Sequence, residues 1–242
     1  MTRTSQKARI NEINRQLILM SSLVEKQIYL SMLALRNADV KSAEEIIKDD
    51  DKVDELQKSI EEECIKFIAT EQPLAKDLRN VFTASKIVTD LERMADHAVD
   101  ICKIVKKVNG NGGETRDEAL PLWDMEEKVR NMIGLSIETY IEGDVDKAYE
   151  ICAMDDEIDE LYGSIFGALL EGIKLDDSKT NKSAQLLFVT KYLERIADHV
   201  TNICEWTIFS KKGTYVDLNE TNSFGICLFL LKIYSFLGEN IK

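Results

Sequence analysis

The chain has 242 residues, 31% of them charged and 44% hydrophobic, and its net charge is −13 at pH 7. That length can bury a core in one or two domains, and only 2 prolines interrupt it, which suits long helices. So acidic a surface excludes nucleic acid and anionic lipid as expected partners, and it disfavours bare phosphate as a ligand unless a cation bridges the two.

In chain order, residues 1–12 contain no apolar signal region. Residues 5–36 carry Ile10, Ile13, Leu17, Met20, Val24, Ile28 and Leu35 at near-helical spacing. Asn37-Ala38-Asp39 turns the chain, with Asp39 as a cap, into a second helix over 40–70 that bears Ile46, Val53, Leu56, Ile60 and Phe67. Pro73 is placed in the first turn of a third helix, where a missing N–H costs nothing, and that helix runs to about Lys107. Asn109-Gly110-Asn111-Gly112-Gly113 is the natural boundary. Pro121 then lies near the start of a fourth helix, Gly143-Asp144 turns into a fifth, and Leu175 to Asn181 is a polar turn into a sixth that ends near Lys211 before Gly213. No uninterrupted apolar run approaches the roughly 20 residues that span a bilayer.

The expected fold is all-α: two tandem antiparallel three-helix bundles, 5–108 and 117–219, related by internal pseudo-symmetry and joined by a linker at 109–116. The short connections favour folding back within one chain over an intermolecular coiled coil. An extension over 220–242 follows; its apolar run 224–237 is expected to pack on a bundle or dimer surface, with a membrane-surface or partner-binding helix as the alternative.

The pseudo-symmetry is written in the residues. Asp90-Leu91-Glu92-Arg93-Met94-Ala95-Asp96-His97 is matched, 102 positions later, by Tyr192-Leu193-Glu194-Arg195-Ile196-Ala197-Asp198-His199. Asp50-Asp51-Lys52-Val53-Asp54-Glu55-Leu56 is matched 105 positions later by Asp155-Asp156-Glu157-Ile158-Asp159-Glu160-Leu161. The five cysteines include the repeat-equivalent pair Cys102 and Cys204 and no Cys-x-x-Cys, which points to buried free thiols in a reducing, cytosolic setting.

On the third and sixth helices an apolar stripe (Ala84, Ile87, Leu91, Met94, Ala98, Ile101; Leu186, Val189, Leu193, Ile196, Val200, Ile203) faces the bundle. Glu92, Asp96 and Asp100 on one helix, and Glu194 and Asp198 on the other, stack at four-residue spacing on the far side and are expected to point outward. Folding back about residues 72 and 177 brings Asp50 and Asp54 beside Glu92 and Asp96, and Asp155 and Asp159 beside Glu194 and Asp198. Stacked like charges cost a helix a few tenths of a kcal/mol per pair. Such carboxylates suit a cation, whether a metal or a partner's Lys and Arg, but a merely solvated acidic face has the same spacing.

His97 and His199 are expected at the stripe's edge, hydrogen-bonded to a neighbouring helix rather than ligating, and Arg93 and Arg195 in interhelix salt bridges. The Glu-x-x-His signature of di-iron bundles is missing, as are the P-loop, G-x-S-x-G and H-E-x-x-H. Catalysis therefore has no motif behind it.

Gln72-Pro73-Leu74-Ala75-Lys76-Asp77-Leu78-Arg79, the doubled Leu-Glu-Arg-x-Ala-Asp-His and the closing Gly213-Thr214-Tyr215-Val216-Asp217-Leu218-Asn219 resemble the PhoU family of phosphate-uptake regulators over roughly residues 5–219. The resemblance implies two three-helix bundles in a cytoplasmic, commonly dimeric protein. It implies a negative regulator of phosphate uptake and starvation signalling that acts with the ATPase of the phosphate ABC importer and with a phosphate-sensing histidine kinase, reaching the membrane only through them. It also implies iron or zinc clusters on E(D)-x-x-x-D motifs, which fall here on Glu92/Asp96 and Glu194/Asp198, with Asp50/Asp54 and Asp155/Asp159 opposite. The sequence departs from the family at the start of the sixth helix, which lacks the Pro-x-Ala-x-Asp-Leu-Arg start, and at Asn202, which stands where the first half has Asp100. Two rival readings remain: a multinuclear metal-dependent phosphoester hydrolase, and a metal-free scaffold whose acidic faces confer solubility.

Overall fold

The computed structural model describes residues 3–109, 120–175 and 180–218. Among these residues the chain forms eight helices, α1 (Arg3–Asn37), α2 (Val40–Asp49), α3 (Asp51–Glu71), α4 (Ala75–Asn109), α5 (Leu120–Glu142), α6 (Val145–Ala153), α7 (Asp155–Leu175) and α8 (Thr180–Lys212). The Asn-Gly break after Asn109 and the extension beyond Asn219 lie outside the described residues.

Six helices were expected and eight are found, because each middle helix is broken once. The breaks fall at Asp50 and at Met154. There the backbone tightens to three-residue hydrogen bonds: Val53 N–H donates to the Asp50 carbonyl at 2.8 Å, and Glu157 N–H to that of Met154 at 3.2 Å. Neither break holds Gly or Pro. Both fall at runs of aspartate, a poor helix former; the Asp50 carboxylate makes no cap bond there and accepts from Gln27 instead. α2 with α3, and α6 with α7, are thus kinked single arms, and each half remains a three-armed bundle.

The turns into α2 and α6 are twins. Ala38 (φ 53°) and Gly143 (φ 72°) take the left-handed conformation, and Asp39 and Asp144 cap α2 and α6 respectively. Asp39 accepts from Ser42 N, and Asp144 from the backbone N–H of Asp146 and Lys147. Before α4, Gln72 is left-handed and Pro73 precedes the first helical residue, Ala75, rather than standing inside the first turn. α8 ends where expected, at Gly213 with φ 74°.

All six stripe positions of α4 and all six of α8 are buried. A second buried face accompanies each stripe: Val88, Ala95, Cys102 and Val105 on α4, and Thr190, Ala197, Thr201 and Cys204 on α8. These second faces turn toward the middle arms of their own halves, Cys102 toward Asp50 and Cys204 toward Cys152 on α6. Another side of α4 and α8 joins the halves, where the two helices run antiparallel through the middle of the molecule. Arg79 reaches the Ser210 carbonyl, Thr83 that of Trp206, Asp90 meets His199, and His97 stacks on Tyr192. The pairs Asp90·His199 and His97·Tyr192 exchange under the 102-residue repeat, so the pseudo-twofold axis passes near Met94 and Ile196. α1 and α5 form a second contact between the halves, with Arg130 over Tyr29 and Arg36 over Trp123. Within α1, Ser5–Asn37 has the length and mean hydropathy of a membrane-crossing helix, yet half of its most apolar window is buried in the protein core.

Candidate functional site

The kinks bring the acidic residues together. In the first half α3 starts immediately after Asp50, which sets Asp50 and Asp54 facing Glu92 and Asp96 on α4. Asp50 is half-buried and its carboxyl is pushed above the usual range, chiefly by burial and then by repulsion from Asp54 and Asp96, against a hydrogen bond from Gln27 Nε2 at 3.2 Å. Glu92 is raised by burial and by repulsion from Asp96, Asp54 and Asp50. Four carboxylates thus share one field, as the fold-back geometry anticipates. Asp100 is not among them: it is held by Lys103 at 2.8 Å, one turn on, toward His97 and Tyr192.

The second half repeats the arrangement more deeply. Asp155 is 4% exposed and Glu194 7%. Burial, reinforced by Asp159, Asp198 and Glu194, pushes Asp155 up to about 7. Burial and then Glu194 raise Asp198 to about 6, and Asp159 is raised by the same two causes. Asp159 and Glu194 therefore stand together. The expectation that the stripes point outward fails, because α4 and α8 are central helices: the carboxylates lie in the seams α3–α4 and α7–α8, half-buried or buried, and not on a free outer face.

Three substitutions between the halves tune these twins. Gln27, which donates to Asp50, is replaced at the repeat position by Met132, which offers Asp155 no donor. Thr89, whose hydroxyl bonds back to the Ser85 carbonyl, is replaced by Lys191. Gln57 is replaced by Tyr162. The Lys191 ammonium donates to both oxygens of Glu194, at 2.5 and 2.6 Å, and lies 5.4 Å from the centre of the Tyr162 ring.

Carboxylate oxygens are hard donors, and burial with mutual repulsion is what a bound cation relieves, so both donor sets fit a metal by chemistry. They are not closed around a point: among the described residues no three His, Cys, Asp or Glu side chains are arranged as ligands to one ion. Metal binding in this geometry requires side-chain rotations.

The histidines lie at the α4–α8 seam, 6.0 Å apart ring to ring. His199 Nδ1 bonds Asp90 Oδ1 at 2.9 Å, and Asn202 Nδ2 donates to the same oxygen at 3.2 Å. His97 instead stacks on Tyr192 at 5.5 Å with Nδ1 buried and unbonded among the described residues. Burial, and then the neighbouring His199 and Arg195, depress its pKa to about 4, so it stays neutral. The neighbouring-helix bond expected of both holds for His199 only. Arg93 does not bridge helices: it pairs within α4, with Asp96 at 3.2 Å and Glu92 at 3.6 Å, and Arg195 is exposed. Cys64, Cys102 and Cys204 are buried free thiols, and Cys152 on α6 is a free, half-buried one.

Sequence reasoning missed Asp90 and Lys191. Asp90 is the buried anchor of His199; its repeat mismatch with Tyr192 was the available signal. Lys191, three residues before Glu194, was visible as an ion-pair partner by spacing alone.

A family model described as the PhoU domain matches this chain twice, over residues 17–105 and 122–207, and these spans hold all nine acidic candidates. The chain belongs to the PhoU family. Among its relatives, a PhoU homologue of Clostridium acetobutylicum, described as a phosphate-specific transport system accessory protein, is 49% identical over 221 residues, covering 91% of this chain and all of that one. One from Pseudomonas putida with the same description is 31% identical over 86% of this chain and 81% of its own. Among solved structures, PhoU from Pseudomonas aeruginosa superposes with a TM-score of 0.79 at 28% identity, over 86% of this chain and 99% of that one. A phosphate transport system regulatory protein, PhoU from Streptococcus pneumoniae, gives 0.80 at 28% identity, over 88% and 99%. The PhoU fold is thus shared along nearly the whole of those chains.

Proposed function

We propose that this chain is an accessory protein of a phosphate-specific transport system: a cytoplasmic, dimeric adaptor that restrains phosphate uptake and starvation signalling through the importer's ATPase and the sensor kinase. The reading rests on the PhoU match in both halves and on the described role of a relative 49% identical along its full length. An accessory role fits a protein without a catalytic motif. Binding would draw on helix-face packing and on complementarity between the acidic surface and basic patches of the partners.

The twin clusters are the metal-binding part of the same proposal. Asp50, Asp54, Glu92 and Asp96 would hold one ion or cluster, and Asp155, Asp159, Glu194 and Asp198 the other. Iron or zinc there would neutralise the buried negative charge and fix the α3–α4 and α7–α8 seams. In a deletion strain grown in high phosphate, starvation genes are expected to be expressed constitutively; normal repression would defeat the regulatory reading. Elemental analysis of protein purified without chelator is expected to find metal that the double variant Glu92→Ala/Asp96→Ala loses in part while keeping its helical signal.

A further inference from the structure

The two clusters carry the same carboxylates but not the same cations. In the second, Lys191 already places a positive charge on both oxygens of Glu194, braced by the face of Tyr162. The repeat-equivalent residues of the first, Thr89 and Gln57, are neutral, and each is turned to a local bond, Thr89 to Ser85 and Gln57 to Glu61. Arg93, the cation closest in sequence to the first cluster, pairs with Asp96 at 3.2 Å and with Glu92 at 3.6 Å, but its side chain is 57% exposed and that of Asp96 47%, so water screens these pairs as it does not screen Lys191 on buried Glu194. Glu194 is 7% exposed, so its ammonium partner takes the place of lost water, and a metal can use those oxygens only after Lys191 has moved.

We infer that Lys191 is a built-in competitor for metal, so that the two half-sites load in order: the α3–α4 cluster takes a divalent ion first, and the α7–α8 cluster takes one only by displacing Lys191 from Glu194. This rests on the metal-binding reading above. It adds a residue that sets relative affinity, and it makes the ion occupancy of the protein graded rather than all-or-none. Displacing two charge-assisted hydrogen bonds weakens the second half-site about ten- to a hundredfold relative to the first.

The test uses the full chain, Mn2+ as probe, calorimetry for affinity and the loss of the free-ion electron paramagnetic signal for stoichiometry. Glu194→Ala/Asp198→Ala leaves the first half-site, and Glu92→Ala/Asp96→Ala leaves the second. The expected result is tighter binding by the former, and recovery of most of the difference when Lys191→Thr is added to the latter. Thr89→Lys, which transplants the competitor, should weaken the first half-site. Circular dichroism confirms that each variant is folded. Equal affinity of the half-sites, or no response to Lys191→Thr, overturns the competitor role while leaving metal binding intact. Absence of any Mn2+ or Zn2+ binding by the unaltered chain overturns the metal reading itself, and the competitor role with it.

Discussion

The two halves follow one backbone plan, kink for kink and turn for turn, yet they treat the same charges differently. The first half leaves Asp50 half-solvated and gives it a Gln27 donor; the second buries Asp155, sets Met132 where the donor was, and answers with Lys191 on Glu194. The histidines diverge likewise, one bound to Asp90 and the other stacked on Tyr192. The lesson is that a duplicated helical frame keeps its acidic positions while a few flanking side chains decide what each copy can do.

Substitutions at the divergent positions sharpen that contrast. Asp90→Ala removes the partner of His199 and Asn202 in a buried setting and is expected to cost about 2–3 kcal/mol in denaturant unfolding. Its repeat twin, Tyr192→Ala, loses a partly exposed stack and should cost only about 1 kcal/mol. Equal losses would show that the two histidine environments are energetically alike.

Next in size is a pH effect on metal-free protein. Asp155 holds its proton to about 7 when folded, against an ordinary carboxylate value of 3.8, so between those limits the folded state binds more protons. Stability should therefore rise as pH falls from 8 toward 6. His97 acts oppositely: depressed to about 4 from 6.5, it makes the folded state bind fewer protons, so below pH 6.5 it offsets the Asp155 contribution and flattens the rise. Asp155→Asn is expected to stabilise the protein by about 1–2 kcal/mol at pH 8 and to flatten the upper limb. Asp50→Asn should do less. Unfolding midpoints measured with chelator from pH 5 to 8 check both.

The twin turns come third. Ala38→Gly relieves a left-handed alanine and should stabilise by about 0.5–1 kcal/mol. Gly143→Ala should destabilise by about 1 kcal/mol, and the Lys211 side chain, 1.8 Å from the new methyl position, must swing away. Smallest is Arg93→Ala, expected within about 0.5 kcal/mol because its ion pairs are local and exposed. A larger loss there would restore the interhelix bridge that the spacing suggested.

Much of this was legible in the residues. The apolar stripes of α4 and α8 marked the core, since a 3.6-residue period admits one reading when every stripe position is buried. The residue matches at offsets of 102 and 105 showed the repeat, Asp39 read as a cap and Gly143-Asp144 as its twin turn, and folding back about residue 177 paired Asp159 with Glu194. The kinks were not legible through Gly or Pro, because they fall at the aspartate runs beside Asp50 and Asp155, which hold neither. Nor was the outward-facing assignment of the carboxylates sound: the middle arms close over them within each half, and small residues such as Ala95, Ala197 and Thr201 give α4 and α8 a second buried face beside the first stripe. That second face buries part of what one stripe leaves exposed.

The antiparallel seam of α4 against α8 carries a further consequence. An interface whose contacts exchange under the repeat has the geometry that two identical units make across a dyad. Either unit freed from the other would bare a surface fitted to its own likeness. In a pair of first units, Asp90 of each copy would meet His97 of the other, giving both histidines the carboxylate that only His199 has now.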